Sequence, residues 1–200
     1  RENMEKGTLK GTPILLIGGS AGSLEVLIKA LPRLTPIKSF PVVIVVHRKN
    51  SDDSLLENLI AAKTVIPVGE TEDKTLLLPG YIYIVPADYH LLFEHNGELS
   101  LDVSDKVNYS RPSIDVVFQS AAETYGSGVT AILLSGANAD GTDGLSMVQH
   151  LGGTIVVQEP DTAEMPYMPQ YAINHLVPDA LITPDTLADY INQLSARLDF

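Results

Sequence analysis

Three short runs of nearly unbroken apolar side chains restrict the fold of this chain most: residues 13–17 (Pro-Ile-Leu-Leu-Ile), 41–46 (Pro-Val-Val-Ile-Val-Val) and 129–134 (Val-Thr-Ala-Ile-Leu-Leu). A strand with one wet face alternates apolar and polar residues. Runs without that alternation fit strands covered on both faces, the situation of a parallel sheet between two layers of helices. The segments between them carry helix signals. A helix is expected over 23–34, and another runs to residue 62 with Ser51 as its N-cap and Asp52 and Asp53 in a first turn that favours negative charge. Pro112 suits the first position of a helix that stops before Gly126, and a helix over 142–151 closes at Gly152-Gly153. Pro169 and Pro184 are expected to start the last two helices, around a short strand at 180–182. Shorter strands are expected at 65–68, 81–85 and 154–157. One segment breaks the rhythm: at 89–103, Asn96-Gly97 between alternating flanks predicts a hairpin with a type I′ turn. The resulting expectation is an α/β fold, a doubly wound and mainly parallel sheet with helices on both faces and a β-hairpin addition.

Two hundred residues suffice for one well-formed core. Residues 13–200 are read as a single domain, with 1–12 an N-terminal extension or a vector remnant, since the first residue is Arg1 and Met4 is a candidate natural start. No run approaches the roughly 18 apolar residues of a membrane span, and the polar, acidic opening does not resemble a signal peptide. A cytoplasmic location without membrane insertion is expected. The absence of cysteine excludes disulfides, a thiol nucleophile and thiolate metal sites. Twenty-five acidic residues against thirteen basic ones give a net charge of −12, which argues against nucleic acid as a partner. No cofactor is implied, and no His/Asp/Glu cluster has metal-ligand spacing.

The most informative chemistry follows the first strand. In Ile17-Gly18-Gly19-Ser20-Ala21-Gly22-Ser23, the residues Gly18, Ser20 and Gly22 fit the G-x-S-x-G spacing of serine hydrolases. Small neighbours there let a tight strand-to-helix turn push the hydroxyl outward, and N–H groups at the helix start face the same point. His47 ends the second strand, and Asp140 lies in the loop after the run at 129–134. Open parallel sheets bind ligands beyond the carboxyl ends of their strands, so the topology alone can bring the three together.

Their chemistry suits acyl transfer: Ser20 attacks a carbonyl, His47 moves the proton, and Asp140 orients the imidazole. An intact triad requires Ser20 Oγ near one His47 nitrogen and an Asp140 oxygen near the other, each about 3 Å apart. Backbone N–H groups of the Ser20 turn and of the 136–139 loop are candidate oxyanion donors. Each residue also has a plainer reading: Ser20 as a helix cap, His47 as a strand-end hydrogen-bonding residue, and Asp140 as a turn former with Asp143 an equal contender for the carboxylate. His95, His150 and His175 read as surface or packing residues. His90 opens the hairpin and reads as structural, with the crevice as its alternative place.

The chain resembles the catalytic domain of the chemotaxis receptor methylesterases, the CheB family. The resemblance runs from Ile14 to about Leu194, through Ile17-Gly18-Gly19-Ser20, His47, Pro86-Ala87-Asp88-Tyr89-His90, Arg111-Pro112-Ser113-Ile114-Asp115-Val116-Val117-Phe118, Leu134-Ser135-Gly136 through Asp140-Gly141, and Met168-Pro169. It implies a protein-glutamate methylesterase that hydrolyses γ-glutamyl methyl esters on methyl-accepting chemotaxis receptors, releases methanol, and deamidates glutamine in such receptors. It also implies Ser20, His47 and Asp140 as the triad, with Ala21, Ala137 and Met168 around the oxyanion and substrate. The family's usual regulatory receiver domain has no room before the first strand, so regulation would come from domains elsewhere.

The chain departs from the family pattern in several places. Ala21-Gly22-Ser23 stands where the family usually has Thr-Gly-Gly, Val46 and Arg48-Lys49 flank His47 in place of Gln and Met-Pro, and a methionine common before the aspartate is missing around Ala137. Because the family's receptor substrates tend to be acidic, Arg48, Lys49, Lys106 and Arg111 are expected to form a local basic rim. Two other readings compete: a signalling or interaction domain of the same fold with weakened catalysis, and a phosphate- or nucleotide-binding module. The latter lacks G-x-G-x-x-G and Gly-Lys-Ser/Thr.

Overall fold

The computed structural model describes residues 8–49, 53–69 and 71–199. Six strands form one parallel sheet: β1 (Ile14–Gly19), β2 (Val42–Val46), β3 (Ile82–Ile84), β6 (Val129–Leu133), β7 (Thr154–Gln158) and β8 (Ala180–Ile182), arranged β3-β2-β1-β6-β7-β8. The first three strands run outward in one direction from β1 and the last three in the other, so the order reverses between β1 and β6. Every residue of β1, β2 and β6 is buried, as their unbroken apolar sequences require.

Alternate residues feed two cores. Ile14, Leu16, Val43, Val45, Ala131 and Leu133 face α3 (Ile114–Tyr125), α4 (Thr142–His150) and α5 (Tyr167–His175). Leu15, Ile17, Val42, Ile44, Val46 and Ile132 face α1 (Ser23–Ala30), α2 (Asp53–Lys63) and α6 (Leu187–Leu198). The expected doubly wound architecture is present. The hairpin of β4 (His90–Phe93) and β5 (Leu99–Asp102) forms its own two-stranded sheet and packs on α3, burying Leu91, Phe93 and Leu99.

Several local expectations need correction. The hairpin turn is not type I′: Gly97 N–H donates to Glu94 O and Glu94 N–H to Glu98 O, and Gly97 alone takes a positive φ of 88°, so the loop is a tight turn followed by a glycine bulge. Residues 65–68 contribute one isolated bridge, Val68 to Ile82, instead of a strand, because Pro67 interrupts the run. Pro32 ends the α-helical part of the first helix at Ala30, and 31–33 continue as a 3-10 turn. Helix α5 begins at Tyr167, two residues before Pro169, and α6 begins at Leu187 after a turn opened by Pro184. Ser113 caps α3, so Pro112 precedes the cap rather than filling the first turn. The Ser51 cap and Asp52 lie outside the described residues.

Candidate active site

Register places the serine beside the histidine. Strands β1 and β2 pair Gly18 with Val45 and Gly19 with Val46, and His47 N–H donates to Gly19 O at 3.2 Å, so the next residues out, Ser20 and His47, are cross-strand neighbours. On the other side Ser20 N–H donates to Ser135 O at 2.9 Å, just beyond β6. The half-buried Ser20 therefore stands at the reversal of the strand order, where open α/β sheets hold their ligands.

Two glycines make that placement possible. Gly22 has φ +83°, and a Cβ there would fall 2.6 Å from Ser135 Oγ and 2.8 Å from the Glu164 Cβ. A Cβ on Gly136 would come within 3.0 Å of the Ser20 Cβ and 2.6 Å of the Met168 sulfur. The residues after β1 and after β6 can thus approach each other only with glycine at these points.

Asp140 receives five donors. Its Oδ2 accepts from His47 Nε2 at 2.7 Å and from Ile114 N–H at 2.7 Å, while Oδ1 accepts from Asp115 N–H at 3.0 Å, Ser113 Oγ at 3.1 Å and Asn108 Nδ2 at 3.3 Å. The side chain is 0 % exposed, against 12 % for His47. Burial opposes ionisation of Asp140, but the hydrogen bonds from His47 and from the Asp115 and Ile114 amides outweigh it and hold the carboxyl below its ordinary value. The carboxylate in turn fixes the imidazole tautomer: Nε2 carries the proton, and Nδ1 is left as the acceptor, with Asn138 Nδ2 3.5 Å away.

The expected pair of triad contacts is half present. His47 meets Asp140, whereas Ser20 Oγ makes no hydrogen bond among the described residues. Asp143, the rival carboxylate, lies in the first turn of α4, and the His47 contact belongs to Asp140.

Around the serine, the N–H groups of Ala21 and Ala137 have no hydrogen-bond partner among the described residues, and both residues are exposed. Gly136 N–H is occupied by Met165 O. Met168 is fully buried, with its N–H on Gly136 O and its thioether against Gly136, so it supports the loop beside Ser20 from below. Ala137 borders a groove of about 840 Å³ that also contains Met165, Tyr167 and Tyr171. On the opposite side His47 borders a cleft of about 320 Å³.

Sequence reasoning gave no role to Asn108, Ser113, Asp115 or Asn138. Ser113 is a residue type favoured at N-caps, and its side chain does accept from Val116 N–H at the start of α3. Its second bond, to Asp140, becomes legible only once the start of α3 is known to face the loop after β6. Asp115 is 4 % exposed and accepts from Gly141 N–H, Gly144 N–H and Asn108 Nδ2. Burial first, and then the neighbouring Asp140 charge, push its carboxyl up to about 7. His90 is structural, as expected: its Nδ1 accepts from Ser113 N–H and its Nε2 donates to Asp105 O.

Comparison with known proteins agrees with this arrangement. Residues 15–191 match the family model described as CheB methylesterase. A Leptospira interrogans protein provisionally named protein-glutamate methylesterase/protein-glutamine glutaminase is 36% identical over 185 residues, covering 92% of this chain and 94% of its own. The Thermotoga maritima protein-glutamate methylesterase/protein-glutamine glutaminase is 36% identical over 166 residues, 80% of this chain and 47% of that protein. The crystal structure of the Thermotoga maritima CheB methylesterase catalytic domain superposes with a TM-score of 0.86 at 31% identity, over 91% of this chain and 98% of that one.

Proposed function

The chain belongs to the CheB methylesterase family, and we propose on that premise that it hydrolyses γ-glutamyl methyl esters of chemotaxis receptors with Ser20 as nucleophile, His47 as base and Asp140 as orienting carboxylate. The activity is that of a carboxylic ester hydrolase, and the relatives' names pair protein-glutamate methylesterase with protein-glutamine glutaminase.

In the reaction Ser20 Oγ attacks the γ-carbonyl carbon and its proton passes to His47 Nδ1, the nitrogen that Asp140 leaves unprotonated. The negative oxygen of the tetrahedral intermediate is held by the Ala21 and Ala137 N–H groups, each worth on the order of 3 kcal/mol in such a position. Collapse breaks the bond to the methoxy oxygen, which takes the proton from Nδ1 and leaves as methanol. Water then attacks the glutamyl ester on Ser20, again losing its proton to Nδ1, and releases glutamate and the free serine. With glutamine the leaving group is ammonia.

The observation that carries this reading is the 2.7 Å contact of the part-buried His47 Nε2 with the buried Asp140, set one strand away from Ser20. The serine–imidazole hydrogen bond forms in the substrate complex, as catalytic contacts commonly tighten there. A second reading, a weakened domain of the same fold, draws on the absence of that bond and on Ala21 beside the serine. A fluorophosphonate probe separates the two. An active triad gives one covalent adduct on Ser20, abolished in Asp140→Asn, while a relic gives no adduct under the same exposure.

What supports residues 13–200 as one catalytic unit is the near-complete coverage of the Thermotoga maritima catalytic domain. Among the described residues no helix is long and apolar enough to cross a membrane.

A further inference from the structure

Behind the nucleophile, the carbonyl oxygen of Ser20 accepts two hydrogen bonds from one residue: Ser23 Oγ donates at 2.6 Å and Ser23 N–H at 3.1 Å. Ser23 is 0 % exposed, and a hydrogen bond sheltered from water in this way is electrostatically stronger than one in solvent. Room for the side chain comes from Gly19, where a Cβ would fall 2.5 Å from the Ser23 Cβ and 2.9 Å from its Oγ. The hydroxyl is a feature of this chain, since the family pattern has glycine at the place of Ser23.

The peptide that carries this carbonyl also carries the Ala21 N–H. It is trans, so its C=O and N–H point in opposite directions within one rigid plane. Donors that fix the carbonyl from the buried side therefore turn the N–H the other way, and Ala21 is exposed, with its N–H unpartnered among the described residues. The bonds to the carbonyl also polarise the amide and strengthen its N–H as a donor. The next peptide is tied as well, because Ser135 Oγ donates to Ala21 O at 2.8 Å. The Gly136–Ala137 peptide has a main-chain counterpart of the same device: Gly136 O accepts from Met168 N–H at 2.9 Å. One of the two oxyanion donors is thus oriented by backbone alone, the other by a side chain.

We propose that Ser23 is a positioning residue for the hydrolysis: its hydroxyl clamps the Ser20 carbonyl and so aims and polarises the Ala21 N–H toward the negative oxygen of the tetrahedral intermediate. The proposal rests on the hydrolytic reading above and adds to it a residue that acts through the Ser20–Ala21 peptide without touching substrate. Ser23→Ala and Ser23→Gly remove the hydroxyl and leave the residue 23 N–H on the carbonyl, so no buried polar group is orphaned and the turn keeps its fold.

The test compares wild type with both variants on a peptide carrying one glutamyl γ-methyl ester, and on the same peptide with a trifluoromethyl ketone in place of the ester. Ser20 Oγ adds to the ketone carbon, its proton passes to His47 Nδ1, and the ketone oxygen becomes the oxyanion. Loss of a whole oxyanion donor costs about 10²–10³ in kcat, so a misaimed one is expected to cost about tenfold, with KM within about twofold of wild type and Tm within about 3 °C. Ketone affinity is expected to fall by the same factor as kcat/KM, which a purely structural serine would not produce. Nuclear magnetic resonance gives a readout independent of turnover: the Ser20 carbonyl carbon and Ala21 amide nitrogen resonances are expected to move upfield in Ser23→Ala, while those of Gly136 and Ala137 stay in place. If wild type releases no methanol and binds no ketone while the Ser20 and Ala21 resonances move, the hydrolytic reading fails and the clamp stands. If wild type is active and the variants match it in kcat, or lose kcat with ketone affinity unchanged, the proposal is overturned and the hydrolytic reading stands. Unmoved Ser20 and Ala21 resonances overturn the clamp whether or not the wild type is active.

Discussion

Asp140 ionises in a place where burial alone would keep it neutral, because five donors converge on its two oxygens. Its neighbour Asp115 has the opposite fate, with a carboxyl pushed up to about 7 by burial and by the Asp140 charge. The two make opposite contributions to stability against pH. A raised folded-state pKa stabilises fully below the unfolded value near 3.9 and loses that contribution as pH rises through about 7. The lowered Asp140 contributes above its unfolded value and loses the contribution as pH falls. Thermal melts of wild type and Asp115→Asn between pH 5 and 8 are therefore expected to diverge. The Asp115 part of the wild-type Tm falls by about 3 °C or more across that window, and the variant lacks that part. Gly136→Ala is the second residue-scale expectation. Its new Cβ displaces Met168 and presses on Ser20, so kcat falls by about tenfold or more while the flexible thioether absorbs most of the strain in the core. Residue types at this scale were legible in the sequence: Ser20, His47 and Asp140 each follow an apolar run, and the strand-end rule assembles them. Asn108 was not legible, since an asparagine in a loop reads as a turn former until the loop is seen to lie over two carboxylates.

Elements were easiest to read where the core decides them and hardest where one or two backbone bonds do. Strands β1, β2 and β6 stood out because every side chain in them is buried. The hairpin turn misled because Asn96-Gly97 favours one turn type in isolation, whereas the backbone bonds of Glu94 place the glycine alone at the bulge. The ends of α5 and α6 misled because a proline marks the neighbourhood of a helix start rather than its first residue. Helix α3 is the element on which the site depends. Its first turn supplies Ser113, the Ile114 N–H and the Asp115 N–H to Asp140, while the hairpin covers its outer face through Phe93, whose N–H and C=O bond Ser120 Oγ and Thr124 Oγ1. Ser113→Ala is expected to cost about 1–2 kcal/mol through the lost cap and to lower kcat as well, because Asp140 loses a donor. Phe93→Ala, farther from the chemistry, is expected to cost about 3–5 kcal/mol in denaturant melts.

At the scale of the whole molecule, the order β3-β2-β1-β6-β7-β8 turns three residues separated by up to 120 positions into neighbours, because β1 lies between β2 and β6. That order could not be derived from composition or periodicity, which fix strand type but not strand sequence across the sheet. The same order serves nucleotide-binding folds, and what separates this chain from them is the site: a serine where a phosphate turn would lie, and a His47–Asp140 pair beyond the flanking strands. Charge is organised on the same scale, with a net −12 overall and a basic cleft beside His47. The central claim is that Ser20 performs the hydrolysis, and its most direct test is methanol release from a methylated chemotaxis receptor fragment by wild type and Ser20→Ala. The account predicts steady release by wild type and a fall of at least several hundredfold in the variant, with Tm unchanged. Equal release by the two proteins, or none by the folded wild type, would contradict it.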